Sequence, residues 1–135
     1  PPLRRDGRMT VRLILARHGE TDYNKHGLAL GRADIPLNDT GHRQAECLRG
    51  ALVGTGLSAV YASPLVRARA TAEAIGSAHG LDVQLDGGLI EMDVGEVEGL
   101  TFPEVAQRMG RTLDVVKKLW PRALARLRRV LGDPP

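Results

Sequence analysis

Aromatic residues are nearly missing from this sequence: its 135 residues include two tyrosines, one phenylalanine and one tryptophan. A core must therefore be built from Leu, Val, Ile and Ala. No aromatic-rich basic strand or helix offers a stacking platform for bases, which argues against nucleic acid as a partner. Cys47 is the single cysteine. It allows neither an internal disulfide framework nor a thiolate metal cluster, and it fits a reducing, cytoplasmic setting. No apolar run approaches the roughly 20 residues of a membrane span, so no membrane partner is expected. Pro1 to Arg8 is polar and Arg-rich, with no apolar signal-peptide core behind it. Residues 1–10 read as a disordered polar leader, with Met9 as a natural start.

What is present describes a globular chain. Hydrophobic residues make up 42% and charged residues 26%, which suits one domain, 11–135, long enough to bury a core. The formal net charge is +3, and most of the cations are arginine. That balance favours anionic ligands without singling out nucleic acid.

Val11 to Ala16 is short, branched and apolar, as in a parallel strand buried on both faces. Asp22 to Pro36 lacks periodicity and reads as a functional loop. Asn38-Asp39-Thr40 offers N-caps for an amphipathic helix with Ala45, Leu48 and Leu52 on one face, closed by Gly54 and Gly56. Cys47 in that helix is expected to be a small buried residue. Ala59 to Ala62 reads as a second strand. A helix bearing Ala68, Ala72 and Ile75 follows and stops at Gly80, and Asp82 to Leu85 makes a third strand. Thr101 to Glu104 forms a capping box for a short helix that Gly110 interrupts. Helical spacing then runs from Leu113 to Leu131, with Pro121 as a kink. Strands alternating with helices define an α/β domain with a parallel sheet.

The chemistry gathers at the expected strand ends, where open α/β sheets bind ligands. Arg17-His18 follows the first strand; neutral imidazole is a nucleophile near pH 7, and the arginine directs it to an anion such as a phosphoryl group. Arg67 falls in the opening turn of the helix after the second strand, where free N–H groups and a guanidinium fork suit phosphate oxygens. Glu91, after the third strand, is placed to protonate a leaving oxygen and then to activate water. Glu96 and Glu98 read as solvated charges, and Arg69 as surface.

These motifs resemble the histidine phosphatase superfamily, the phosphoglycerate-mutase-like fold. Arg17-His18-Gly19-Glu20-Thr21 with Asn24 is similar to its signature. Leu30 to Leu37, then Thr40-Gly41 and Gln44-Ala45, resemble its substrate loop and first helix. Ser63-Pro64-Leu65 with Arg67-Ala68 and Thr71-Ala72 resembles its second phosphate arginine, and Leu89-Ile90-Glu91 with Gly95 and Glu98-Gly99-Leu100 its acid/base loop. The resemblance spans roughly Val11 to Val105.

It implies a three-layer α/β/α sandwich and a phosphomonoesterase of the bacterial broad-specificity or α-ribazole-phosphate type. Such an enzyme works through a phosphohistidine on a small phosphorylated metabolite. The alternatives are a phosphoglycerate mutase and an inactive phosphate-binding pseudophosphatase. His18 would be the nucleophile, Arg17 and Arg67 would bind phosphate, and Glu91 would be acid and then base. Thr21, Asn24 and Gly31 would contact phosphate or substrate. No metal or organic cofactor is implied, and a homodimer is open. The family pocket also uses a second histidine on a later strand. His26, His42 and His79 do not match its position, and Asp114 to Leu131 resembles the helix before that strand. The chain is therefore expected to correspond to the amino-terminal two thirds of the fold, with weak activity or none in isolation.

Overall fold

A computed structural model describes residues 11–118. The polar leader, Pro121 and the helical spacing from 119 to 131 lie outside the described residues.

The organising unit is strand–helix–strand. Strand β1 (Val60–Ala62) runs into helix α3 (Val66–Ser77) and returns as β2 (Val83–Leu85). The strands are parallel, with Val60 opposite Val83, Tyr61 opposite Gln84 and Ala62 opposite Leu85. Alternation along β1 buries Val60 and Ala62 and exposes Tyr61, as a period of two requires. The buried face meets Ala72 and Ile75 of α3, and Leu48, Leu52, Leu57, Leu81 and Val83 pack around it. Each Val or Ile side chain fully buried there contributes about 1.5–3 kcal/mol.

Helix α2 (Asp39–Leu52) packs on α3. The Asn38 side chain caps it by accepting the Gly41 N–H at 2.9 Å. Helix α3 has no cap of its own, since Leu65 precedes it. Asp34, from a distant loop, accepts the Val66 N–H at 2.7 Å instead. A second cluster joins Val105 and Ala106 of α4 (Phe102–Arg108) to Val116 of α5 (Leu113–Lys117), with Ala29, Val97, Leu100 and Leu113 around it. The Thr101–Glu104 capping box that opens α4 is present as read. No helix among the described residues is long and apolar enough to cross a membrane.

Three expectations are corrected. Val11 to Ala16 forms no strand; Leu13 and Leu15 are each 80% exposed. Strand propensity is realised only against a hydrogen-bonding neighbour, and among the described residues β1 and β2 pair only with each other. The described sheet thus has two strands rather than three. Cys47 is exposed: it sits two residues from buried Ala45, on the opposite side of the helical wheel. The loop Asp22 to Pro36 opens with a short helix, α1 (Asp22–Lys25), held by a capping box between Thr21 and Asn24.

Candidate active site

A cleft of about 280 Å³ is lined by Arg17, His18, Glu20, Asn24 and Gln44. A larger open depression of about 470 Å³, lined by Asp22, Lys25, Asn38, Asp39, Thr40 and Arg43, mixes both charges and contains no imidazole. The smaller cleft holds His18 and Arg17.

His18 Nδ1 is 2.7 Å from the Gly19 carbonyl oxygen. A carbonyl can only accept, so Nδ1 carries the proton. In the neutral ring the lone pair then belongs to Nε2. The imidazole pKa lies below its ordinary 6.5, chiefly because burial disfavours the cation. The charges of Arg67 and Arg17 push it the same way, while the Gly19 carbonyl and Glu91 oppose the shift. The sign follows directly. As pH falls through 6.5 the unfolded chain takes up this proton first, so stability is lost between 6.5 and the lower folded value. An NMR titration of the His18 ring is expected to give a midpoint below 6.5, and a midpoint above 6.5 would contradict this environment.

Arg67 is 2% exposed. Its Nη2 donates to the Gly31 carbonyl at 2.7 Å and its Nη1 to the Ala33 carbonyl at 2.8 Å. Burial lowers the guanidinium pKa, and the charges of Glu91, Asp34 and Glu98 raise it. The guanidinium remains a cation at neutral pH. Arg17 is exposed at the cleft. Glu91 is also exposed; its Oε1 accepts the Met92 N–H at 2.9 Å. The charge of Glu91 acts on both His18 and Arg67. Arg17 and His18 line the cleft, whereas Arg67 and Glu91 stand outside its lining and reach His18 through their charges.

The remaining expected residues divide. Asn24 lines the cleft. Its Oδ1 accepts the Thr21 N–H at 3.1 Å and the Thr21 hydroxyl at 2.9 Å. Because a backbone N–H must face an oxygen, the Asn24 amide NH₂ is the group left for the cleft. Thr21 is fully buried in that capping box. Gly31 is buried, with its N–H bonded to Glu98 Oε1 at 2.6 Å and its carbonyl to Arg67.

Other residues hold the site together. The Gly19 N–H donates to Thr71 Oγ1 at 3.1 Å, and that hydroxyl donates to the Arg67 carbonyl at 2.8 Å. One buried threonine thus ties the histidine's loop to the arginine's helix. Gln44 Oε1 accepts the Glu20 N–H at 2.8 Å, and Asn38 Nδ2 donates to Glu20 Oε1 at 3.0 Å. Gly19 and Gly41 touch backbone to backbone: a Cβ on Gly19 would strike the Gly41 carbonyl, and one on Gly41 the peptide of Glu20. Glu98, expected to be solvated, is half-buried and bonded. Nothing local in the sequence separates it from exposed Glu96. Among the described residues no group of three or more His, Cys, Asp or Glu side chains is placed to share a metal ion.

Fold and cleft together define an α/β protein of the phosphoglycerate-mutase-like class, with a histidine and an arginine side by side in the cleft. The chain belongs to the histidine phosphatase superfamily, branch 1, whose family model matches residues 13–126. A bifunctional protein of Mycobacterium tuberculosis is 44% identical over 99 residues, covering 73% of this chain and 27% of that protein. Phosphoserine phosphatase 1 of Hydrogenobacter thermophilus is 37% identical over 98 residues, covering 73% of this chain and 46% of its own length. A mycobacterial glucosyl-3-phosphoglycerate phosphatase, solved with VO3, superposes with a TM-score of 0.65 at 33% identity, covering 67% of this chain and 45% of that one. The chain thus spans between about a quarter and half of the curated relatives' length.

Proposed function

We propose that the chain carries the nucleophilic half of a phosphomonoesterase site acting on a small phosphorylated metabolite. The observation that carries this reading is the His18 Nδ1 contact with the Gly19 carbonyl, which leaves Nε2 as a free nucleophile beside two arginines. The phosphate dianion sits against Arg17, the unspent donors of Arg67 and the Asn24 amide. Thr21 and Gly31 serve by holding Asn24 and Arg67. His18 Nε2 attacks phosphorus in line with the departing oxygen, and the P–O bond breaks as the P–N bond forms. Glu91 delivers a proton to the leaving alkoxide, then takes one from a water that attacks the phosphohistidine. Inorganic phosphate and the neutral imidazole are regenerated. The arginines stabilise the charge on the equatorial oxygens.

Exposure of Glu91 gives water a path to the phosphohistidine. That supports hydrolysis over the mutase alternative, in which the intermediate must be kept from water. The relatives include a phosphoserine phosphatase and a glucosyl-3-phosphoglycerate phosphatase, together with probable phosphoglycerate mutases, so the choice of hydrolysis rests on the exposure of Glu91. The cytoplasmic assignment rests on the single cysteine.

The test is incubation with a radiolabelled aryl phosphate followed by a rapid quench in alkali. Acid-labile, alkali-stable phosphate is expected on His18 and is expected to disappear in His18→Asn. Label mapping to any other residue, or label that persists in His18→Asn, would refute the reading.

A further inference from the structure

Arg67 is too buried to owe its aim to solvent, and the two carbonyls that grip it belong to a loop. What holds that loop is therefore part of how the guanidinium is aimed. Gly31 is fastened on both sides of its Cα, with its carbonyl on Arg67 Nη2 at 2.7 Å and its N–H on Glu98 Oε1 at 2.6 Å. A Cβ at Gly31 would lie 2.8 Å from both the Met92 carbonyl and the Val94 side chain, so the loop has no slack on its outer face. Glu98 in turn is set by the segment beside it. The Gly99 N–H donates to the Ala29 carbonyl at 2.8 Å, and the Ala29 N–H to the Leu100 carbonyl at 2.8 Å. Gly99 adopts φ +78°, which an L-residue would resist. This two-rung clamp brings the carboxylate at 98 opposite the amide of residue 31.

We propose that Glu98 is a positioning residue that, through Gly31, aims the guanidinium of Arg67 at the His18 cleft. A guanidinium has five N–H bonds. Two are committed to Gly31 and Ala33, and three are left for a phosphate. The Glu98–Gly31 bond determines which way those three point, because sliding Gly31 would turn the fork about the Ala33 carbonyl. The inference rests on the proposed phosphoryl-transfer reading for its purpose, but not for its geometry.

Two variants separate reach from charge. Glu98→Gln keeps an acceptor at the same distance and removes the charge; Glu98→Asp keeps the charge and withdraws it by one methylene. On the full chain, NMR reads the exchange of the Gly31 amide and of the Arg67 guanidinium protons, and titration with orthovanadate reads the pocket. Glu98→Gln is expected to preserve slow exchange at both sites and to bind vanadate within about threefold of wild type. Glu98→Asp is expected to lose the protection and to bind about 10- to 100-fold more weakly, as a misaimed binding group does. Glu96→Gln, which removes an exposed pair with Arg108, is the control and should change neither readout. If Glu98→Asp behaves as wild type while Glu98→Gln loses protection, charge rather than positioning is at work and the proposal falls. If both variants keep the Arg67 signals, it falls as well. Should wild type fail to bind vanadate, the phosphoryl-transfer reading fails by itself, and the guanidinium signals still decide whether Glu98 positions Arg67.

Discussion

Arg67→Met is expected to slow phosphoryl transfer to His18 by about 100- to 1,000-fold and to destabilise the fold by about 3 kcal/mol. Methionine fills much of the space but donates nothing. The chemical loss follows, on the proposed reading, from removing a buried cation whose charge acts on His18. The stability loss has a separate origin. The Gly31 carbonyl, bonded to this guanidinium, would be left without a donor beneath a packed loop, while the Ala33 carbonyl would keep only the Ile35 N–H at 3.0 Å. His18 supplies an internal check. Since the Arg67 charge helps lower the imidazole pKa, the His18 midpoint should rise in the variant, although burial remains the larger cause. Rapid-quench labelling, urea denaturation and the ring titration read the three effects separately. An unchanged denaturation midpoint would show that the loop does not depend on this arginine.

Gly41→Ala should destabilise the chain by about 3 kcal/mol, the upper end for overpacking, even though alanine favours helix by about 1 kcal/mol over glycine. Gly41 lies in the first turn of α2, and its methyl group would meet the N, C and O of Glu20. These are backbone atoms with no rotamer to change. Either the helix or the segment carrying Arg17 and His18 must move. The Asn38 cap on the Gly41 N–H, worth about 1 kcal/mol, would be disturbed as well. Gly50→Ala is the matched comparison in the same helix. Nothing lies within 4 Å of a Cβ there, so the substitution should stabilise by up to about 1 kcal/mol. Urea midpoints moving in opposite directions would confirm the pair; a neutral Gly41→Ala would show that the two backbones do not meet.

Local chemistry was readable in the sequence, whereas pairing was not. The Asn38 cap, the Thr101 capping box and the apolar face of α2 depend on residues within one or two turns, and they occur where the pattern puts them. The α1 capping box escaped because its third position is Asn24 rather than Glu or Gln, and the helix has only 4 residues. The Val11 to Ala16 run has the composition of a strand, but a ladder needs a second chain segment that composition does not describe. Cys47 is exposed although its residue type favours burial, because its place on the wheel lies opposite Ala45. In the site, Arg17, His18, Arg67 and Glu91 stand out in the sequence because each carries chemistry of its own. Glu98 and Thr71 do not, because their roles depend on partners 67 and 52 residues away.

Those separations also bear on the order of folding. The bonds from Gly19 to Thr71, Gly31 to Arg67 and Gly31 to Glu98 close loops of 52, 36 and 67 residues, whereas each helix closes its own turns. Long-range closure carries the larger entropy cost and tends to come late. Contacts completed after the rate-limiting step govern how fast the native state comes apart rather than how fast it forms. An anion bound between His18 and Arg67 would therefore act as a brake on unfolding, lengthening the life of the folded chain while leaving its rate of folding nearly untouched.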